Sequence, residues 1–582
     1  MTLKLKCPNW LPYFVSLLIL AGIFFGVLHG HNFNLSIPLI YNGDGLLSTL
    51  CIQSIIHTGW FLTDPFLAAP GVFEFYDFPG LDNTSGLILK FMTLFSHDAL
   101  TLTNLFFLLG FVLSAWSALY VYKKLSLNTP YAIIAAILFT ILPYHFSQNE
   151  AHLFLSAYFA VPFWLMLSFF IMNNEPLHFF KNRYLNAASF FICLAVIVNT
   201  GVYYTFFGLF YTFFAGIIGS IALRKASPFY RSLRIIILSG FIAALSLVPN
   251  ALYIHEHGKD TQIAHRAFDE SEIYGLQIAQ MLLPVENHRN ADLAHTRYRY
   301  DKETAQVLPK MINENSSSAL GFIASLGLLF SFSIVLLQNA CKKASNLYRA
   351  ASFNILGILL AVPFGLSVLF GMFISPEIRT YTRISIFIGF LSLFVFFKCL
   401  QALTEKYQFK KWLIALIAFI ILAIGVFDQT TEQNIFPKTP AWQSAVTNDQ
   451  IFVTQIEHLV PTQRMIFQLP YVDFPEGVAP GTMDSYAPLR PYFFSHDLRW
   501  SAGAMKGRPA AIWQKATASQ STPAMINNLI ATGFTGIYID RDGYLDHGQA
   551  LETSLTQILH EQPLVSPNQE FSFFSLDKKA GT

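Results

Sequence analysis

Long apolar runs recur along the first three-quarters of this chain, and they constrain its fold more than any other feature. Each run is close to the length of about 20 residues that a helix needs to cross the hydrocarbon core of a bilayer. We count about eleven candidate spans, centred on residues 12–30, 101–122, 128–147, 151–172, 184–200, 202–222, 233–254, 318–337, 350–374, 381–400 and 411–428. The sequence therefore predicts an α-helical polytopic membrane protein.

The composition favours the same class of protein. Of the 582 residues, 53% are hydrophobic and 12% are charged, whereas soluble domains carry about twice that charged fraction. The net charge is +2, and no run of Lys and Arg indicates a groove for nucleic acid. The five cysteines are scattered and form no C-x-x-C pair, so we expect neither a structural disulfide nor a zinc site.

Basic residues gather in alternate connections between the apolar runs, and by the positive-inside rule these connections face the cytoplasm. They are Lys4, Lys6, Lys123, Lys124, Lys181, Arg183, Arg224, Lys225, Arg231, Arg234, Lys342, Lys343, Arg349, Lys406, Lys410 and Lys411. This orientation puts the N-terminus in the cytoplasm. Three segments then lie outside: a loop over 31–100, a loop over 255–317, and the C-terminal segment 429–582.

The C-terminal segment is more polar than the rest and carries turn signals. Its strand-like stretches are "RMIFQLPYV", "TGIYIDRDGY" and "FSFFSLD". We therefore predict two parts: a transmembrane body over 1–428 and an extracytoplasmic α/β or α+β domain over 429–582. Ionisable residues are nearly absent from the span interiors and gather at the outer ends, which favours chemistry at the outer interface over ion-coupled transport.

Asp44 stands in "YNGDGLLSTL", shortly after the first apolar run. One interpretation makes it the N-cap of an interfacial helix whose apolar side chains face the lipid boundary. Those side chains are Leu46, Leu47, Leu50, Ile55 and Ile56. The other interpretation is a general base or acceptor ligand held at the membrane surface. The two interpretations are compatible.

The same loop also holds Asp64, Glu74, Asp77 and Asp82, and the last two are candidate ligands. Asp77 and Asp82 lie in "YDFPGLDN", where Pro and Gly make ordinary turn chemistry one explanation. The alternative is binding of sugar hydroxyls or of a divalent ion.

A short outer turn, "LPYHFSQNEAHLF", holds His145, Glu150 and His152. Its spacing does not force convergence on one metal ion. Capping of span ends and substrate binding are both open.

The short connection "SPEIRTYTRISIF" carries Arg379 and Arg383 on the outer side, against the charge rule. A guanidinium suits bidentate contact with a lipid phosphate. The alternatives are snorkelling and pairing with Glu377.

In the C-terminal segment, "SHDLRWSAGAMKGRPAAIW" contains Arg499, Trp500 and Trp513. Tryptophan faces stack on sugar rings, and Arg holds hydroxyls, but Trp is equally a core residue. Arg499 and Trp500 are therefore candidates for substrate binding.

The chain resembles the GT-C superfamily of membrane glycosyltransferases, and within it a bacterial branch of glycosyltransferases and sugar translocases. The resemblance lies in "YNGDG", "YDFPGLDN", "LPYHFSQNEAHLFLSAYFAVP", "EIYGLQIAQMLLP" and "LRWSAGAMKGR". It spans most of the chain, with a large first outer loop and a C-terminal outer domain. The chain departs from the family pattern in one respect, because its first loop has no paired acidic motif just after the span. A divalent metal is an open alternative.

The resemblance implies a polyprenyl-phosphate sugar as donor, a glycan, lipid or protein as acceptor, and a bacterial inner membrane as location. It implies that Asp44 acts as general base and that Arg379 or Arg383 stabilises the leaving phosphate. The alternative function is a translocase of lipid-linked sugar or polysaccharide, or a non-catalytic membrane protein of envelope biogenesis.

Overall fold

The structure is a computed structural model that describes residues 9–78, 80–176, 182–263, 266–337, 345–434, 436 and 441–576. Helices dominate the part before the C-terminal segment. They are α1 Leu11–Gly26, α2 Asp44–Thr58, α3 Asn83–Met92, α4 Ala99–Lys124, α5 Thr129–Thr140, α6 Pro143–Gln148, α7 Leu153–Ser156, α8 Ala160–Met172, α9 Arg183–Val198, α10 Val202–Leu223, α11 Ser227–Ser246, α12 Val248–His257, α13 Glu270–Ile273, α14 Ile278–Leu282, α15 Ala291–Val307, α16 Phe322–Leu336, α17 Asn346–Ala361, α18 Leu366–Phe373, α19 Ser385–Lys406 and α20 Lys411–Gln429.

Every predicted apolar segment coincides with a helix or with a pair of consecutive helices. Among the described residues, six helices are long and apolar enough to cross a membrane, and up to seven if the pair α17 and α18, bent by 55°, is one span. Shorter apolar helices are α1, α8, α9 and α16. The multi-span helical body is therefore present, and the number of about eleven spans stays a prediction.

The helices pack through aromatic rings and a few internal hydrogen bonds. The ring of Tyr122 in α4 stacks on Phe390 in α19, with centroids 4.2 Å apart. In α17, the Asn354 amide donates to Ser331 Oγ at 2.9 Å and to Ser392 Oγ at 3.1 Å, which links α17 to α16 and α19. Polar groups between membrane helices find partners on neighbouring helices, because lipid offers none.

The surroundings of α2 contradict one expectation about the first outer loop. The segment is helical as predicted, but Leu46, Leu50 and Ile55 are at most 2% exposed and lie in the protein core. Helices α3 and α4 and the 3₁₀ helix Ala487–Phe494 of the C-terminal segment cover them. The apolar face of α2 is therefore buried against protein and does not lie on the lipid boundary.

The C-terminal segment forms a sheet-containing domain. Its helices are α21 Gln443–Leu459, α22 Pro509–Ala518, α23 Thr522–Thr532 and α24 Gln549–Leu559, and its strands are β3 Met465–Leu469, β4 Arg499–Trp500, β5 Phe534–Asp540, β6 Leu564–Val565 and β7 Phe571–Ser575. A short antiparallel pair in the first outer loop provides β1 Thr63–Asp64 and β2 Phe73–Glu74. The five-stranded sheet has the order β4-β3-β5-β7-β6, parallel from β4 to β5 and antiparallel at β7 and β6. The three predicted strands are β3, β5 and β7.

The first outer loop is joined to this domain by a hydrogen bond to a buried charge pair that lies inside the domain. Arg490 donates to both carboxylate oxygens of Asp449, at 2.7 and 2.9 Å, and the Tyr41 hydroxyl donates to the same carboxylate at 2.8 Å. Tyr41 directly precedes the loop that contains Asp44. The domain therefore sets the position of the start of α2.

Candidate functional site at the outer ends of the helices

Asp44 is the first residue of α2, and the N-cap position belongs to Gly43. Gly43 has φ +50°, a left-handed value that favours glycine, and its N–H donates to Asp484 Oδ1 at 3.0 Å. The expectation that Asp44 caps the helix is wrong by one residue. A carboxyl group in the first turn is still favoured by the helix dipole, and that of Asp44 is free to face outward.

The Asp44 carboxylate faces His152. Their Oδ2 and Nδ1 atoms are 3.5 Å apart, and the side chains are 47% and 36% exposed. His152 precedes α7, in the short turn after α6. Tertiary structure thus brings two residues from separate outer segments together in a partly open cleft.

Arg383 lies beside this pair, in the 3₁₀ turn Tyr381–Ile384 that leads into α19. Its Nη2 is 3.1 Å from Glu314 Oε2, and its guanidinium lies 4.4 Å from the centre of the Tyr203 ring. Its Nε is buried and has no hydrogen-bond partner among the described residues. Glu314 and Tyr203 therefore fix the position of the Arg383 cation, and its Nε–H remains available to donate a hydrogen bond.

Arg379 makes a similar pair one turn earlier. Its Nη1 is 2.6 Å from Glu270 Oε2, and its guanidinium is 5.1 Å from the centre of the Tyr274 ring. Both arginines thus pair with carboxylates of the long 255–317 loop. The alternative of pairing with Glu377 is wrong, because the folded loop supplies better-placed partners.

The C-terminal domain closes another side of the cleft. Glu476 accepts from Arg266 Nη2 at 2.7 Å, and its own N–H donates to the Tyr486 hydroxyl at 3.1 Å. Glu476 and Asp484 are close enough to Asp44 to repel its negative charge. Residues from three other segments therefore lie close to Asp44: the turn after α6, the turn before α19 and the C-terminal domain.

The electrostatics of the cleft favour a carboxyl group that is a better base than usual. Burial raises the pKa of Asp44, His152 lowers it, Glu476 and Asp484 raise it, and Arg383 lowers it, with a net rise. Burial lowers the pKa of His152, and Arg383 lowers it further. Burial acts to raise the pKa of Glu314, but the charges of Arg383 and His152 and the hydrogen bonds from Arg383 and Thr380 together lower it. At neutral pH, Glu314 is therefore ionised.

The two first-loop candidates have structural partners outside this cleft. Asp77 binds Arg508 with both oxygens, at 2.8 and 2.7 Å. Asp82 is the N-cap of α3 and accepts from the Ser85 N–H at 2.8 Å. Asp82 therefore has the local role that turn chemistry implies, whereas Asp77 forms an ion pair that neither of the two explanations included.

His145 and Glu150 are buried away from solvent. The imidazole of His145 stacks on Phe111, with centroids 3.6 Å apart. Glu150 accepts from the N–H groups of Leu39 and Ile40 at 2.6 and 3.1 Å. Of the three residues in this turn, the structure brings only His152 to Asp44.

Arg499 and Trp500 also have structural contacts. Arg499 donates to the carbonyls of Pro65 and Gly71, at 3.0 and 2.7 Å. Trp500 is fully buried in the core, so stacking of its ring on a sugar is excluded in this conformation.

Sequence reasoning missed Glu314, Glu270, Arg266, Glu476 and Asp484. An arginine at the outer end of a span signals that an acidic partner exists. The long loop holds several carboxylates, and nothing in their local sequence distinguishes Glu314 or Glu270. Within the described ranges, no group of three or more His, Cys, Asp or Glu side chains is placed to hold a metal ion.

Comparison with known proteins gave structural matches only. No family model and no curated protein sequence matches this chain. Its fold is similar to the oligosaccharyltransferase of Archaeoglobus fulgidus in complex with Zn and sulfate, with TM-score 0.43 and 11% identity over 91% of this chain and 68% of that one. It is similar to ArnT from Cupriavidus metallidurans bound to undecaprenyl phosphate, with TM-score 0.40 and 11% identity over 99% and 100%.

A third similar structure is the arabinofuranosyltransferase AftD from Mycobacteria, with TM-score 0.42 and 14% identity over 91% of this chain and 35% of that one. At these scores and identities, the likeness by itself assigns no activity to the chain.

Proposed function

We propose that this chain is a membrane glycosyltransferase that moves a sugar from a polyprenyl-phosphate donor to an envelope acceptor on the outer face. The observation that carries the proposal is the partly exposed Asp44 carboxylate beside His152 and Arg383, at the outer ends of apolar helices. A transferase that uses a lipid-phosphate donor needs a base for the acceptor hydroxyl and a cation for the departing phosphate, both close to the lipid headgroups. Asp44 and Arg383 supply this pair of groups. The donor class follows from the sequence resemblance.

In the proposed reaction, Asp44 takes the proton from an acceptor hydroxyl. The acceptor oxygen attacks the anomeric carbon, a new C–O bond forms with inversion, and the bond from that carbon to the phosphate oxygen breaks. The electron pair leaves with the phosphate, so the product is polyprenyl phosphate. Because phosphate is a stable leaving group, no strong general acid is needed.

Arg383 stabilises the charge that develops on the departing phosphate. Its unused Nε–H is one available donor, and its pair with Glu314 opens or is shared when the phosphate binds. His152 faces Asp44 and orients its carboxylate. Arg379 is the second cation of this region.

The test is a comparison of membranes that contain wild type, Asp44→Asn or a matched control, Asp98→Asn. Asp98 is also an outer aspartate at a helix start, where its side chain caps α4. We expect Asp44→Asn to lose about 100-fold or more in transfer rate, with a lipid-linked sugar accumulating in cells and the protein level unchanged. Asp98→Asn keeps the rate. Full transfer by Asp44→Asn contradicts the proposed base.

The same assay separates a transferase from a translocase. A transferase consumes the donor and releases polyprenyl phosphate in proportion to product. A translocase leaves the donor intact on the opposite leaflet. Donor movement without release of polyprenyl phosphate would replace the transferase proposal.

A further inference from the structure

A groove opens between the C-terminal end of α8 and the first turns of α11, at the opposite end of α8 from His152. The predicted orientation places it at the cytoplasmic surface. Phe170, Ile171 and Ile235 supply its apolar part, and Arg231 and Arg234 supply its basic part. Its cavity volume is about 280 Å³, close to the lower end of the range for small-molecule pockets.

The two guanidinium groups are not neutralised by carboxylates. In the described part of the chain, no carboxylate oxygen lies within 4.0 Å of either one. Among the described residues, Arg231 donates only to the backbone carbonyl of Glu175, at 3.1 Å, and Arg234 is exposed. The pair is therefore available to an anion.

One acidic side chain, Glu175, lies on the rim of the groove. Its carboxylate accepts from the Asn173 amide at 2.8 Å and interacts electrostatically with Arg349 of α17. Because Arg349 offsets the charge of Glu175, the groove keeps a net positive character.

The groove continues into an exposed apolar stripe. Ile237 and Phe241 follow Arg234 at helical spacing on α11 and are 63% and 56% exposed. The protein buries only 17% of the most apolar stretch of α11. The acyl chain of a phospholipid can therefore lie along this stripe while the headgroup phosphate of the same lipid reaches the two arginines.

We propose that this groove is a binding site for an anionic phospholipid of the cytoplasmic leaflet. Arg231 and Arg234 hold the headgroup phosphate, and Phe170, Ile171 and Ile235 contact the start of an acyl chain. This lipid site is independent of the chemistry proposed for Asp44.

Native mass spectrometry of the full-length protein, titrated with phosphatidylglycerol or phosphatidylcholine in neutral detergent, tests the site. The variant Arg231→Gln/Arg234→Gln removes both charges, and Arg183→Gln/Lys225→Gln is the control that removes two exposed charges from the same predicted surface. Each guanidinium is worth about fivefold in affinity, so we expect phosphatidylglycerol binding to fall roughly 30-fold in the groove variant. The control and the phosphatidylcholine titration are expected to change little.

Ile235→Trp fills the apolar part of the groove and leaves the charge intact, and we expect it to weaken phosphatidylglycerol binding as well. An unchanged melting temperature shows that each variant is folded. The proposal is overturned if both double variants weaken binding equally, because the effect is then one of surface charge. It is also overturned if Ile235→Trp binds normally, or if millimolar inorganic phosphate displaces the lipid, since the site then takes a free anion.

Discussion

At the scale of single residues, the pH dependence of transfer tests the relation of Asp44 to His152. Burial raises the pKa of Asp44, and His152 lowers it. A base must be deprotonated, so transfer rises as pH increases through the Asp44 pKa. His152→Gln removes a neighbour that lowers this pKa, and we expect the acidic limb of the rate profile to move to higher pH. If the acidic limb does not move, His152 does not influence the pKa of the catalytic base.

Glu150 provides a second prediction, about stability. Burial raises its pKa from 4.5 to about 8, against the lowering effect of two backbone N–H donors. The folded state therefore binds the Glu150 proton more tightly than the unfolded state does. The stability that the protonated Glu150 carboxyl group contributes declines as pH rises from about 4.5 to about 8. We expect the melting temperature of wild type, relative to Glu150→Gln, to fall over this range.

The matched variant Glu150→Ala leaves the N–H groups of Leu39 and Ile40 without their acceptor. We expect it to be less stable than Glu150→Gln by about 1–3 kcal/mol at every pH. A wild-type protein that gains stability over Glu150→Gln as pH rises would show that the buried carboxyl group is ionised throughout.

At the scale of elements, α3 depends on its cap. Asp82 accepts from the N–H and the hydroxyl of Ser85, at 2.8 and 2.9 Å. Asp82→Ala removes the cap, and we expect a loss of about 1 kcal/mol. Asp82→Asn keeps an acceptor oxygen and should stay close to wild type in thermal unfolding. Equal losses in both variants would point to the charge of Asp82 and not to its cap.

At the scale of the whole molecule, Asp77 and Arg508 join the first outer loop to the C-terminal domain. Their side chains are 4% and 12% exposed, and Arg508 also donates to the carbonyls of His257 and Gly258, at 2.9 and 3.0 Å. Without Asp77, Arg508 keeps only the more distant carboxylate of Asp260 as an ion-pair partner among the described residues, at 3.9 Å. We therefore expect Asp77→Ala to cost about 3 kcal/mol. Hydrogen exchange over residues 66–78 should increase.

The pair Arg541 and Glu552, with atoms 2.7 Å apart inside the C-terminal domain, is the control. Glu552→Ala should loosen that domain and leave exchange over 66–78 unchanged. Increased exchange of the first outer loop in Glu552→Ala, equal to that in Asp77→Ala, would contradict a local role for the Asp77–Arg508 pair.

The sequence by itself determined the helical membrane body, the location of the apolar helices and the three main strands of the C-terminal domain. These follow from local patterns, because the length of an apolar run and the alternation along a strand are properties of neighbouring residues. The same patterns placed Asp44, His152 and Arg383 on one predicted face. They could not show which side chains meet.

Only the tertiary structure decided that Asp44 faces His152 and that Glu314 holds Arg383. It also buried Trp500 and the apolar face of α2. The physical reason is that these contacts join segments far apart in the chain, and burial depends on what covers a residue. A carboxylate in a long loop has the same local sequence signal whether it pairs with an arginine or with water.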